Sequence, residues 1–307
     1  MARPTSNDAE IPVSQELFAP VSGGVELCYQ TFGDPEGEPV LLVMGLGGPM
    51  TWWDPAFCRL LAERGHYVIR FDNRDTGRST RIKARVRRPA LLRAFAGRGG
   101  RPPYTLVDMA EDGFGLLDHL GLEAAHVVGI SMGGMIAQTM AITHPARVRS
   151  LTSIMSTTGK RTVGWQHPRL LPMLIAPRAA GRDAYAEGSA RMWAVIGSPA
   201  FPQVHDEVIA RAHETFDRGV SASGVMRQML AILHEGNRGP RLRSLRMPAL
   251  VIHGADDRMV HVSGGRATAR ALPGAELLVV DGMGHDLPAD LYPTFVDAID
   301  RTVRRSR

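Results

Sequence analysis

Short runs of aliphatic and β-branched residues alternate along this chain with stretches whose apolar side chains recur every three or four positions, as expected of strands alternating with helices. Val25 to Phe32 and Val40 to Met44 are the first strand-like runs, separated by the turn cluster Gly33-Asp34-Pro35-Glu36-Gly37, and they read as an opening antiparallel pair. Helical spacing then runs from Trp53 through Leu61 to Gly65, and a strand follows from Tyr67 to Phe71. Further along come a helix from Leu106 to Leu120, a strand from His126 to Ile130, a helix to Thr143 and a strand from Ser150 to Met155. The series closes with a strand from Ala249 to His253, a helix near Gly265 to Leu272, a strand from Glu276 to Val280 and a helix near Tyr292 to Val303. This alternation predicts a mostly parallel sheet with helices on both faces. Between Met155 and Ala249 the pattern is rich in helix and poor in strand, so one helical insertion is expected there.

The run His126-Val127-Val128-Gly129-Ile130 stops abruptly at Ser131-Met132-Gly133-Gly134, and Met135, Ile136, Met140 and Ala141 continue at helical spacing to His144-Pro145. A serine at a tight turn between a buried strand and a helix crowds its neighbours, and the glycines at 129 and 133 relieve that crowding. The pattern fits a nucleophile elbow. Such a turn lifts the hydroxyl into a cleft and aims the amide of Met132, at the positive end of the helix, toward a developing oxyanion.

A serine hydroxyl needs a base to remove its proton. Of eleven histidines, only His285 lies beyond the last apolar strand, in Gly282-Met283-Gly284-His285-Asp286. His253 is within a strand and His126 begins one, which suits packed or hydrogen-bonded roles, and His261 follows the nearest carboxylates too closely for the order serine, acid, histidine. Asp256 and Asp257 both follow the strand ending at His253 and compete as the group that orients the imidazole; the other would bond local loop amides.

On these motifs, together with Val43-Met44-Gly45-Leu46-Gly47-Gly48 and the stretch Val68 to Ser79 that contains Asp72-Asn73-Arg74-Asp75-Thr76-Gly77, the chain resembles the α/β-hydrolase superfamily from about Val25 to about Ile299. Within it, the Met-Gly oxyanion loop and Gly-Met-Gly-His-Asp-Leu-Pro are similar to the anthracycline (aclacinomycin) methylesterases and the bacterial lipase/esterase-like proteins. The resemblance implies an eight-stranded, mostly parallel sheet in a core of residues 13–158 and 243–304, with a helical cap over residues 159–242. It implies a Ser131, Asp257, His285 triad, the acid falling three residues after Gly254, and an oxyanion hole from the amides of Leu46 and Met132. Relatives carry His-Gly before that first amide, where this chain has Met44-Gly45. The turn from Asp72 to Ser79 is expected to knit loops beneath the site.

The implied activity is hydrolysis of a carboxylic ester through an acyl-enzyme, on a substrate with a bulky apolar part. Trp165 is assigned to its pocket, and Met173, Leu174, Met192, Trp193, Phe216, Met226, Met229 and Leu230 offer further apolar surface in the cap. Thioesterase, aminopeptidase, cofactor-free haloperoxidase and carbon–carbon bond hydrolase chemistry share the same core, as does a binding-only receptor-like role. Epoxide hydrolases and haloalkane dehalogenases place aspartate at the position of Ser131 and are disfavoured.

A chain of 307 residues with 44% hydrophobic and 22% charged residues can bury one large core. No apolar core stands behind a basic start in Met1 to Pro12, and no run reaches the length of a membrane span, so a cytoplasmic location is expected. Cys28 and Cys58 read as two separate buried thiols. Neither a metal-ligand cluster nor a phosphate-binding loop occurs in the sequence, so no metal or cofactor is expected. The net charge of +5 is concentrated between Thr76 and Val107, a stretch without acids that holds Arg78, Arg81, Lys83, Arg85, Arg87, Arg88, Arg93, Arg98 and Arg101. Lacking interleaved aromatics, it reads as a solvated face rather than a nucleic-acid surface, with peripheral membrane contact through Arg78 to Arg101 as the lesser alternative.

Overall fold

The computed structural model describes residues 11–170 and 181–306. Its strands are β1 (Leu17–Val21), β2 (Val25–Phe32), β3 (Glu38–Val43), β4 (His66–Phe71), β5 (Ala125–Ile130), β6 (Val148–Ile154), β7 (Ala249–Gly254) and β8 (Glu276–Val280). They form one eight-stranded sheet in the order β1-β2-β4-β3-β5-β6-β7-β8. From β4 to β8 every pairing is parallel, while β1 with β2 and β2 with β4 are antiparallel.

The expected antiparallel pair of Val25–Phe32 with the run at 40–44 is not formed. β2 lies between β1 and β4, and β3 sits deeper in the sheet between β4 and β5. The partner of β2 was hidden because Leu17-Phe18-Ala19-Pro20-Val21 is short, proline-interrupted and buried only at Ala19. An edge strand tolerates that proline, since the missing N–H faces away from the ladder.

The helices are α1 (Pro55–Ala62), α2 (Arg88–Phe95), α3 (Leu106–His119), α4 (Met132–Thr143), α5 (Arg182–Ile196), α6 (His205–Gly219), α7 (Ala222–Glu235), α8 (Gly239–Leu242), α9 (Ser263–Ala271) and α10 (Tyr292–Arg304). Local chemistry fixes several starts. Asp54 accepts the amide of Ala56 ahead of Pro55, and Thr105 and Asp108 bond reciprocally at the head of α3.

Successive strand residues point to opposite faces, and the burial follows that period of two. Leu41, Val43, Val127, Leu151 and Val251 pack with residues of α3 and α4, whereas Val40, Leu42, Val128, Leu250 and Ile252 pack with residues of α1 and α10. Both faces of the sheet are thereby covered. Cys28 and Cys58 are separate, buried and unbridged, and burial pushes both thiols up to about 12. Among the described residues, no helix is long and apolar enough to cross a membrane.

Helices α5 to α8 all fall between β6 and β7 and lean on loops at the strand ends. Arg218 of α6 pairs with Asp72 at 2.8 Å, and Arg227 of α7 pairs with Asp75 at 2.6 Å. Of the apolar residues expected in this insertion, Met173 and Leu174 lie outside the described residues. Leu230 is buried, while Met192, Trp193, Phe216, Met226 and Met229 are half-buried.

Candidate active site

The site is assembled at the carboxyl ends of the parallel strands, where an open α/β sheet leaves a crevice. β5 ends one residue before Ser131, whose backbone takes φ 55° and ψ −118°. A positive φ in a residue with a side chain is strained and needs its surroundings to hold it. Here the amide of Ser131 donates to the carbonyl of Ile154 at 2.8 Å, and its own carbonyl accepts the Ser156 hydroxyl at 2.8 Å. The flanking glycines are a steric necessity. A Cβ at Gly129 would stand 2.1 Å from the carbonyl oxygen of Gly133, and one at Gly133 would stand 2.0 Å from that of Val43.

Three sequence-predicted side chains meet here. His285, on the loop after β8, has Nε2 3.1 Å from Ser131 Oγ and Nδ1 2.7 Å from Asp257 Oδ2. Asp257 lies just past the end of β7 and is 3% exposed, so its charge depends on local partners. Burial alone would raise its pKa, but His285 and His253, with the amides of Met259 and Val260 donating to Oδ1 at 2.8 Å each, accompany a carboxyl held down to about 2. An ionised carboxylate only accepts, so Nδ1 of His285 donates to it, and in the neutral imidazole Nε2 would be left to accept from the Ser131 hydroxyl. Such a relay can draw off the hydroxyl proton as the oxygen attacks an electrophile.

The competing acid has a different task. Asp256 Oδ2 accepts the amide of Gly282 at 3.0 Å, tying the loop after β7 to the loop that bears His285. His253 is buried, with Nε2 2.7 Å from the Val260 carbonyl and 3.4 Å from Asp257 Oδ2, so it supports the acid from behind. His126 is buried against Ser150, with Nδ1 2.8 Å from its hydroxyl. His261 stacks on the ring of Trp165 at 4.2 Å between centroids and 15° between planes, and Trp165 is 46% exposed.

The loop of Met44 to Gly48 runs directly beside the serine, for a Cβ at Gly45 would lie 3.3 Å from Ser131 Cβ. Among the described residues the Leu46 amide makes no hydrogen bond, and the Met132 amide opens α4 and therefore has no acceptor within the helix. Neighbouring groups of the loop are firmly held. Asn73 Nδ2 donates to the Met44 carbonyl at 2.9 Å, Asp72 Oδ1 accepts the Met50 amide at 2.7 Å, and Gln228 Oε1 accepts the Gly47 amide at 2.8 Å. The Asp72 turn thus knits the loops beneath the site. Gln228 was not foreseen, because its partner is 181 residues away and nothing in the local pattern of α7 marks it.

Residues 38–290 match the family model described as the alpha/beta hydrolase fold. A rhodomycin D methylesterase from Streptomyces peucetius is 28% identical over 299 residues, covering 90% of this chain and 94% of that protein. A protein named as a carbamate hydrolase from Caulobacter sp. strain K31 is 30% identical over 293 residues, covering 91% of this chain and 96% of its own. Among solved structures, the enol-lactonase from Burkholderia xenovorans LB400 is similar with a TM-score of 0.72 at 21% identity, covering 94% of this chain and 100% of that one.

Proposed function

Because the chain belongs to the α/β-hydrolase family, we propose that it is a serine hydrolase that cleaves a carboxylic ester through an acyl-enzyme. The observation that carries this reading is the hydrogen-bonded series from Ser131 Oγ through His285 to Asp257, at 3.1 and 2.7 Å. Ser131 attacks the ester carbonyl while Nε2 of His285 takes its proton. The amides of Leu46 and Met132 receive the oxyanion, and preorganised donors at that point are worth powers of ten in rate. As the tetrahedral intermediate collapses, His285 returns the proton to the leaving alcohol. Water then attacks the acyl carbon as His285 takes its proton, and His285 returns that proton to Ser131 Oγ as the acyl–oxygen bond breaks and the acid leaves.

In this reading residues 13–158 and 243–304 are the hydrolase core and 159–242 a helical cap over the cleft. Contact of the insertion with the oxyanion loop and the turn after it supports the cap: a Cβ at Gly47 would meet Val225 Cγ2 at 2.8 Å, and Trp193 packs edge-on to Trp52 at 5.6 Å. These apolar groups and the methylesterase relative favour a substrate with a bulky apolar part. Trp165, exposed beside the loop that follows Asp257, is the aromatic candidate for the pocket mouth.

The relative named as a carbamate hydrolase favours a second reading, attack by the same residues on a carbamate carbonyl. A panel of methyl and aryl esters with apolar acids of increasing size, plus matched carbamates, tests both with wild type and Ser131→Ala. Ester turnover that rises with apolar bulk and vanishes in the variant is expected. Turnover confined to carbamates would transfer the assignment to the second reading, and ester turnover surviving in Ser131→Ala would remove the nucleophile.

A further inference from the structure

The peptide bearing His285 is held from two sides. On the sheet side Asp256 engages Gly282 through its carboxylate and Met283 through its amide, at 3.0 Å each. The backbone amides of Gly284 and His285 and the carboxylate of Asp286 bond instead to the end of α5 and the segment that follows it. The Gly284 amide donates to Ser198 Oγ at 2.8 Å, and the His285 amide donates to the Ile196 carbonyl at 2.7 Å. Ser198, having accepted from Gly284, donates its hydroxyl to one oxygen of Asp286, and Gln203 Nε2 donates to the other at 2.6 Å. Gln203 is in turn aligned by Arg211, whose Nη2 donates to its Oε1 at 2.5 Å.

Both carboxylate oxygens of Asp286 are therefore occupied by the insertion, although the residue itself follows the histidine directly. Ser198 is 5% exposed and Asp286 6%, so neither has water to substitute for a lost partner. The fit is close enough to transmit displacement. A Cβ at Gly284 would stand 2.4 Å from the Gly197 carbonyl oxygen, and one at Gly282 would stand 2.3 Å from Ala200 Cβ. A displacement of the insertion would therefore press directly on Gly284 and His285.

We infer that Ser198 and Asp286 are positioning residues that make the seat of the His285 imidazole depend on docking of the helical insertion. The inference rests on the reading of Ser131 and His285 as nucleophile and base. Asp257 orients the ring through Nδ1, whereas the main chain that sets its reach toward Ser131 is fixed by Ile196 and Ser198. Reacting groups tolerate little misplacement, and a shift of about 1 Å costs about 100-fold in rate. Substrate seated under the insertion and the competence of the histidine are thus linked through one short segment.

The test compares wild type, Ser198→Ala, Ser198→Thr and Asp286→Asn by kcat and KM on a cleaved ester, by fluorophosphonate inactivation rate, and by the far-downfield proton resonance of the Asp257–His285 hydrogen bond. Ser198→Ala and Asp286→Asn are expected to lower kcat and the inactivation rate about 10- to 100-fold with KM little changed, and to shift or broaden that resonance. Ser198→Thr, which keeps the hydroxyl, is expected to recover most of the rate. Should Ser198→Ala fail to fold, Gln203→Leu removes one donor to Asp286 from a half-buried position and is expected to move the same readouts. Variants that lose thermal stability alone, with inactivation rate and resonance unchanged, overturn the inference. Wild type that is not labelled at Ser131 overturns the underlying reading as well; labelled wild type with indifferent variants overturns only the positioning role.

Discussion

Nδ1 of His285 stands 2.7 Å from Asp257 Oδ2, whereas the adjacent carboxylate, Asp256, turns away to the amide of Gly282. Asp257→Asn presents an amide NH2 or a weaker acceptor to that nitrogen and disturbs the tautomer that leaves Nε2 free. A fall in kcat of about 10⁴-fold is expected, with Asp256→Asn affecting loop stability far more than kcat. Steady-state kinetics of both variants on one ester decide it. The reverse ranking would transfer the orienting role to Asp256.

His126 carries a pH dependence of stability. Burial lowers its pKa from 6.5 to about 4, against the opposing pull of Glu38 3.6 Å away. Between those two values the unfolded chain binds a proton that the folded chain does not, so stability falls as pH drops from 6.5 toward 4. The loss amounts to as much as about 3 kcal/mol. His126→Gln, which does not titrate there, is expected to flatten this part of the curve in urea unfolding at a series of pH values. Parallel curves for variant and wild type would contradict the assignment.

Gln228 holds the Gly47 amide at 2.8 Å, and its own Nε2 donates to the Arg74 carbonyl and the Thr76 hydroxyl at 2.9 Å each. Replacing it with leucine frees one side of the Met44–Gly48 loop, which the proposed function makes the oxyanion loop. Transition-state stabilisation is expected to suffer more than ground-state binding, giving a drop of about tenfold in kcat with little change in KM. A rise in KM at constant kcat would place Gln228 in substrate binding instead.

Arg227 fixes α7 to the strand-end turn through both oxygens of Asp75, which also accepts the Tyr104 hydroxyl at 2.6 Å. Arg227→Met strands a buried carboxylate and is expected to cost about 3–5 kcal/mol in equilibrium unfolding. The double variant with Asp75→Asn should recover part of that loss, since the orphaned charge is gone. A double variant no more stable than Arg227→Met would assign the cost to packing.

What the chain disclosed in advance follows the range of the forces involved. The tight turn from strand through Ser131 to helix was legible because the crowding at Gly129 and Gly133 is local, and the place of His285 after the last strand because that apolar strand ends so clearly. Choosing Asp257 over Asp256 needed the spacing of a family, for both stand within three residues of Gly254. Strand β1 and helix α2 escaped notice because neither presents a periodic apolar face: Pro20 interrupts one, and Leu92 and Phe95 are exposed in the other. Ser198 was silent for another reason. Its bond to Gly284 spans 86 residues, and no local pattern encodes a contact made only by tertiary packing.

If Ser131 is the one activated nucleophile, fluorophosphonate labelling with intact-mass and peptide mapping reads it out directly. A single adduct on Ser131 is expected, blocked by a competing ester and absent from a folded Ser131→Ala variant. An adduct on any other residue, or stoichiometric labelling that persists in that variant, would contradict it.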